Sequence, residues 1–156
     1  MASGFGKEGA KRAAQAAAGQ AVSAAPGVFL GLFTAISGDP ATVANLTELV
    51  DANYARVNLA TFLDNPAVDN SVDPTIQEVR NDTQFVVPAA NGFAVAHTSS
   101  PLTGGGDIAG WFLTTGGTKG TTTDPILYWG DFNTPKPVAI GDSIRFAVDA
   151  LKLQAD

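Results

Sequence analysis

No cysteine occurs in this 156-residue chain, and histidine and methionine occur once each. Without cysteine there is no disulfide staple, no thiolate nucleophile and no Cys-ligated zinc. A single histidine, His97, cannot build a histidine metal cluster, and any Ser-His-Asp reading would rest wholly on it. It stands beside Thr98-Ser99-Ser100, where surface or loop packing is the plainer role. Cations are scarce too: nine Lys and Arg face 15 Asp and Glu, for a net charge of −6. Phosphate binding needs clustered Lys and Arg, so the balance argues against a nucleic-acid binder. No run approaches the roughly 18 uninterrupted apolar residues of a membrane span. No period repeats along the chain.

What is present is a 45% apolar composition with 15% charged residues, enough to bury the core of one domain and too hydrophobic for a disordered chain. Its basic residues are unevenly placed. Three of the nine, Lys7, Lys11 and Arg12, fall in the first dozen positions, leaving six basic against 14 acidic residues over 13–156. The chain therefore divides into an N-terminal arm, 1–26, that is mildly cationic, and an anionic body, 27–156.

The arm is rich in alanine. Ala10, Ala13, Ala14, Ala17, Ala18 and Ala21 recur at i, i+3, i+4 and i+7, one face of a helix. Glu8 precedes Arg12 by four residues, a favourable helical pair. An all-alanine stripe buries little area, and about 15 residues are marginal as an isolated helix, so order here depends on packing against another surface. Pro26-Gly27 is expected to end the segment. Lys7, Lys11 and Arg12 ahead of an Ala run resemble a secretory signal. Gln15, Gly19, Gln20 and Ser23 interrupt that run, however, and the segment is read as part of the working protein.

From residue 28 the period becomes two. Residues 28–35 read as a strand with Phe29 and Phe33 on one side, and 54–62 as a second. Between them, Val43, Leu46 and Val50 suggest a short helix within 41–50. Further strands are expected near 76–79, 84–87, 93–96, 108–113, 126–129, 143–148 and 151–154, separated by Gly- and Thr-rich turns. Many short strands with such turns describe an all-β domain, an antiparallel sandwich or barrel, not βαβ units.

The search for chemistry gives little. Asp64, Asp69 and Asp73 share the loop 64–74 with Asn65 and Asn70, all oxygen donors that calcium accepts. Their spacing is not that of an EF-hand, and a solvated loop is the plainer reading. Asp131 and Asp142 would be candidates for a glycosidase pair, but Gly130-Asp131 and Gly141-Asp142 are ordinary turn sequences. Gly104-Gly105-Gly106 and Gly116-Gly117 lack the Lys-Ser/Thr and helix of a phosphate loop. Asn45-Leu46-Thr47 and Asn81-Asp82-Thr83 match the glycosylation sequon, which matters only in a eukaryotic secretory setting. Trp111-Phe112 and Tyr128-Trp129 could stack on sugars as in a carbohydrate-binding module. Neighbours on a strand point to opposite faces, so one of each pair belongs in the core and the other is available as an interface anchor. No catalytic set, cofactor site or metal site is expected.

Several segments carry a resemblance. Phe29-Leu30-Gly31-Leu32-Phe33-Thr34, then Thr47-Glu48-Leu49 with Tyr54-Ala55-Arg56-Val57, are similar to the opening of a group of small bacteriophage virion structural proteins. Ile126-Leu127-Tyr128-Trp129-Gly130, Thr134-Pro135-Lys136-Pro137-Val138, Ile140-Gly141-Asp142-Ser143-Ile144-Arg145-Phe146 and Ala150-Leu151-Lys152-Leu153 resemble its closing section. These proteins are head-decoration (cement) or tail-fibre components. The chain departs from them in Ala52-Asn53, in the segment 97–107 and in the arm.

The resemblance implies a non-enzymatic virion subunit, carried on the capsid exterior and assembled in the host bacterial cytoplasm. Its expected partner is the major capsid protein and its expected state a homo-trimer, with neither nucleic acid nor membrane involved. The residues expected at assembly interfaces are Lys7, Lys11, Arg12, Ala14, Ala18 and Ala21 of the arm, with Trp111 and Trp129 of the body. A tail or tail-fibre component and a carbohydrate-binding module are the alternatives.

Overall fold

A computed structural model describes residues 3–21, 27–59, 77–80, 85–87, 106–137, 144–146 and 152–155. The expected strand at 93–96, His97, the loop 64–74, Asp142 and both sequon residues near Asn81 lie outside them.

The all-β expectation is borne out. Among the described residues, ten strands and one α-helix follow one another as β1 (Ser3–Phe5), α1 (Lys7–Ala17), β2 (Phe29–Ile36), β3 (Leu46–Glu48), β4 (Val57–Asn58), β5 (Gln77–Arg80), β6 (Phe85–Val87), β7 (Ile108–Thr114), β8 (Ile126–Lys136), β9 (Ile144–Phe146) and β10 (Lys152–Ala155). Six of the strands make one sheet in the order β1-β8-β7-β2-β3, with β4 also on β2. Two antiparallel ribbons, β5–β10 and β6–β9, complete the set.

The period-two segments build the centre of the sheet. Leu30 pairs with Leu113 and Leu32 with Trp111, while Gly31 pairs with Phe112 and Phe33 with Gly110. Cross-strand partners share a face, so the two sets are packed on opposite sides. One side gathers Leu30, Leu32, Leu49, Val57, Leu59, Trp111 and Leu113, joined by Phe146 of β9. The other gathers Phe33, Val43, Phe112 and Ile126. In this second layer each phenylalanine lies over the glycine opposite. A Cβ on Gly31 would come 2.3 Å from Phe112 Cζ, and one on Gly110 would come 2.5 Å from Phe33 Cζ. The rings fill what the glycines leave empty, the arrangement by which an aromatic compensates a glycine in a strand.

Three local readings need correction. The short helix expected within 41–50 is a single 3-10 turn, Val43–Asn45, followed by β3. The Asn45 side chain folds back to accept the backbone N–H groups of Ala41 and Thr42, which closes the turn. Leu46 then pairs with Ile36, so sheet pairing overrides the helical spacing of Val43, Leu46 and Val50. The strand expected over 54–62 is confined, within the described residues, to Val57–Asn58.

The helix also stops before Pro26-Gly27. It ends at Ala17, with Gly19 at φ +69° and its N–H, like that of Gln20, turned back on the carbonyls of Ala16 and Gln15. That is the usual left-handed C-terminal cap.

The arm is stitched to the body. Ser3, Gly4 and Phe5 pair with Gly130, Trp129 and Tyr128, and the Gly6 N–H continues the ladder to the Leu127 carbonyl. The helix then crosses β8 so closely that a Cβ on Gly9 would sit 1.9 Å from the Leu127 carbonyl oxygen. Gly9 is buried and Glu8, Arg12 and Gln15 are half-buried, whereas Ala10, Ala13, Ala14, Ala17 and Ala18 are exposed. The alanine stripe therefore looks outward, and contact with the sheet falls to a glycine and the polar side.

Candidate functional site

The residues with the strongest electrostatic organisation lie between β3, β4 and the segment joining β7 to β8. Glu48 ends β3 and Arg56 precedes β4. The Arg56 side chain is fully buried, and Glu48 and Asp124 are nearly so at 7% and 17% exposure. Arg56 Nε donates to Glu48 Oε1 at 2.8 Å and Nη2 to Glu48 Oε2 at 2.9 Å, a two-pronged grip. Its Nη1 donates to Asp124 Oδ2 at 2.6 Å and to the Gly116 carbonyl at 2.8 Å. Nη2 also reaches the Thr121 carbonyl at 3.3 Å. A guanidinium carries five N–H donors, and all five are used. Its plane lies over the Phe112 ring, 5.4 Å from the centroid. Burial disfavours the charged form, but the hydrogen bonds Arg56 donates to Glu48 and Asp124 outweigh it and raise the Arg56 pKa.

Tyr54 extends the cluster. Its hydroxyl donates to Glu48 Oε1 and accepts the Leu32 N–H, both at 2.9 Å. Lys119 lies 5.8 Å from the centroid of the Tyr54 ring and donates to the Asp51 carbonyl at 2.6 Å. Glu48 Oε2 also accepts the Gly120 N–H. The network thus ties the 114–124 connection to β2 and β3. Each donor of the guanidinium ends on a protein acceptor, so Arg56 serves as a rivet between these segments.

Burial, then the neighbouring Glu48 charge, push the Tyr54 pKa well above its ordinary value of about 10. The sign follows: above pH ~10 the unfolded chain releases this proton while the folded chain keeps it. Stability attributable to Tyr54 is full below that pH and declines as pH climbs toward the folded value. Of the two tyrosines, Tyr54 is expected to ionise only on unfolding in an ultraviolet absorbance titration. Tyr54→Phe should flatten the alkaline decline in Tm, and an unchanged decline would refute the assignment. At neutral pH the same substitution leaves the Leu32 N–H without its acceptor, at a cost of about 1–3 kcal/mol.

Beside this rivet, along the outer side of β3, runs an open groove of about 430 Å³ lined by Val43, Leu46, Leu49, Val50, Lys119 and Thr122. Val50 at its rim is 84% exposed. At the far end of the sheet Phe5, 38% exposed, packs edge-on against Tyr128 with centroids 5.1 Å apart. Tyr128 in turn stacks on Trp111.

The sequence-proposed interface residues fall in different places. Lys7, Lys11, Ala14, Ala18 and Ala21 are exposed, while Arg12 is half-buried and pairs with Glu8 at 3.1 Å. Trp111 and Phe112 are both buried, because each face of β7 carries a core layer. That pair presents no free ring. Trp129 is partly exposed, yet its indole N–H is buried without a hydrogen-bond partner. Asp131 is half-buried on β8, opposite Gly110. Sequence reasoning passed over the Arg56 cluster. Glu48, Tyr54 and Arg56 nevertheless all stand in the two segments, Thr47-Glu48-Leu49 and Tyr54-Ala55-Arg56-Val57, that carry the family resemblance.

Comparison with known proteins supplies the identity. No curated protein matches the chain. A family model described as podophage GP4 fiber I protein gp80 matches residues 9–154, nearly the whole sequence. The chain belongs to this family of phage virion structural proteins.

Proposed function

We propose that the chain is a fibre subunit of a podophage virion that acts by shape and protein–protein contact and catalyses no reaction. The family match over residues 9–154 carries this reading, and the stiff, doubly packed sheet suits it. A capsid decoration (cement) role is the second reading. There the partner is the major capsid protein, bound on the capsid exterior by homo-trimers, and the subunits assemble in the host bacterial cytoplasm. The outward face of α1 favours it: Lys7 and Lys11 stand beside Ala14 and Ala18, all exposed, and such a face suits an acidic neighbour.

Copy number separates the two. Quantitative gel densitometry of purified virions should give few copies per particle for a fibre, and copies in proportion to the major capsid protein for a cement. Absence from purified virions would overturn both.

A further inference from the structure

We propose that copies of this chain exchange their arms: residues 3–17 lift from β8 while the body stays folded, and the vacated seat takes Ser3–Phe5 of a sister copy. The proposal rests on the self-association within the reading above and adds the strand and the seat that carry it.

The arm lies on one stretch of one strand. β1 pairs with Gly130, Trp129 and Tyr128, the Gly6 N–H reaches the Leu127 carbonyl, and α1 crosses β8 at that same residue. The other edge of β8 is taken by β7. The fit is specific, because a Cβ on Gly6 would come 2.2 Å from the Ile126 carbonyl oxygen and one on Gly9 would come 1.9 Å from that of Leu127. A foreign strand with side chains at those positions collides with β8. A second copy carries the same glycines and the same Phe5, so the seat already fits it.

Shape holds the arm more than buried area does. Phe5, the one large apolar side chain of β1, stays 38% exposed. The helix turns Gly9 and the half-buried Glu8, Arg12 and Gln15 inward and leaves its alanines outside. Docking also has an opposing term. The Trp129 indole N–H is buried with no hydrogen-bond partner among the described residues, and Gly4, its cross-strand neighbour, lies beside it, a Cβ there standing 3.8 Å from Nε1. Lifting the strand returns this donor to water. An element with little apolar burial opens more readily than the core beneath it.

Once open, the arm loses nothing by docking on a neighbour, since every contact is reproduced. Residues 18–28 join it to β2, and these eleven residues reach about 36 Å when extended, about the diameter of a small domain. The chain's own arm competes at an effective concentration on the order of 1 mM, so exchange is favoured where copies are crowded.

The absence of cysteine allows a clean test on the full chain. Gly6 and Leu127 share a ladder hydrogen bond, so the adjacent Phe5–Tyr128 pair is the close kind, with Cα atoms about 4.5 Å apart and within disulfide range. Phe5→Cys/Tyr128→Cys in one chain should close on itself at about 1 μM. Phe5→Cys mixed with Tyr128→Cys at about 1 mM should give a covalent heterodimer, its 5–128 link identified by peptide mass mapping. Adding Gly9→Val to the Phe5→Cys copy should cut that product by about tenfold or more, because the new side chain cannot clear β8. In wild-type protein, hydrogen exchange should release the Gly6 N–H about a hundredfold faster than the amides of β7.

A mixture without the 5–128 link, although the double variant closes within its own chain, overturns the proposal. So does a link that persists undiminished with Gly9→Val, which is random collision, or a Gly6 N–H as well protected as β7. A double variant that fails to close denies the seat itself. Each of these results removes arm exchange and leaves the virion role, which copy number tests, standing.

Discussion

Arg56→Met should lower the melting temperature by roughly 10 °C, because removing one partner of a buried ion pair costs about 3–5 kcal/mol and each kcal/mol shifts a domain of this size by about 2–4 °C. The cost arises in what remains. Glu48 and Asp124 stay beneath the surface without their cation, and the Gly116 and Thr121 carbonyls lose a donor. Two companions sharpen the reading. Glu48→Gln keeps the shape and removes one charge, so its loss should be smaller. Arg56→Met combined with Glu48→Leu should recover part of the stability, because apolar groups in a buried pair's place are often tolerated. Differential scanning calorimetry decides. A loss below about 1 kcal/mol for Arg56→Met would mean that the cluster behaves as an exposed pair.

Phe112→Ala is expected to cost about 3–5 kcal/mol in urea unfolding, the range for truncating a buried aromatic. Phe112 is fully buried, covers Gly31 across the β2–β7 pair, and carries the Arg56 guanidinium on its face. The substitution therefore opens a cavity under the rivet as well as thinning the core. Non-additivity makes the test specific. In the wild type Gly31→Ala drives a methyl group against the ring, at 2.3 Å from Cζ. With the ring gone those two closest contacts disappear, and the Tyr54 hydroxyl, at 2.9 Å, still crowds it. Gly31→Ala should thus cost markedly less in the Phe112→Ala background, and equal costs in both would show that ring and glycine are not coupled.

The legible parts of the sequence were those governed by local rules. β2, β7 and the start of β8 could be read from alternating apolar residues between Gly- and Pro-containing turns, and α1 from the propensity of alanine. Where tertiary contact decides, reading failed. β3 was hidden because Val43, Leu46 and Val50 happen to fit a helix, while its real determinant is pairing with Ile36 and Phe33. β1 was hidden because in Ser3-Gly4-Phe5 only the phenylalanine favours a strand, and three residues show no alternation; it is held by pairing with β8. The helix was found, but not its orientation: alanines at helical spacing suggest a contact face, whereas the close approach to β8 selects Gly9. The Arg56 cluster joins residues 8, 60, 65 and 68 positions apart, a separation that no local pattern records.

Those separations also set an order of events during synthesis. Arg56 has no Asp124 to hold until residue 124 has left the ribosome, and Ser3 has no strand to join until residue 130 follows. Such distant closures are slow, since loop entropy is lost before contacts repay it. The first strand to be made is among the last to find its place. A half-made chain consequently lacks the β7–β8 pair at the centre of the sheet, and the parts already made have little to pack against.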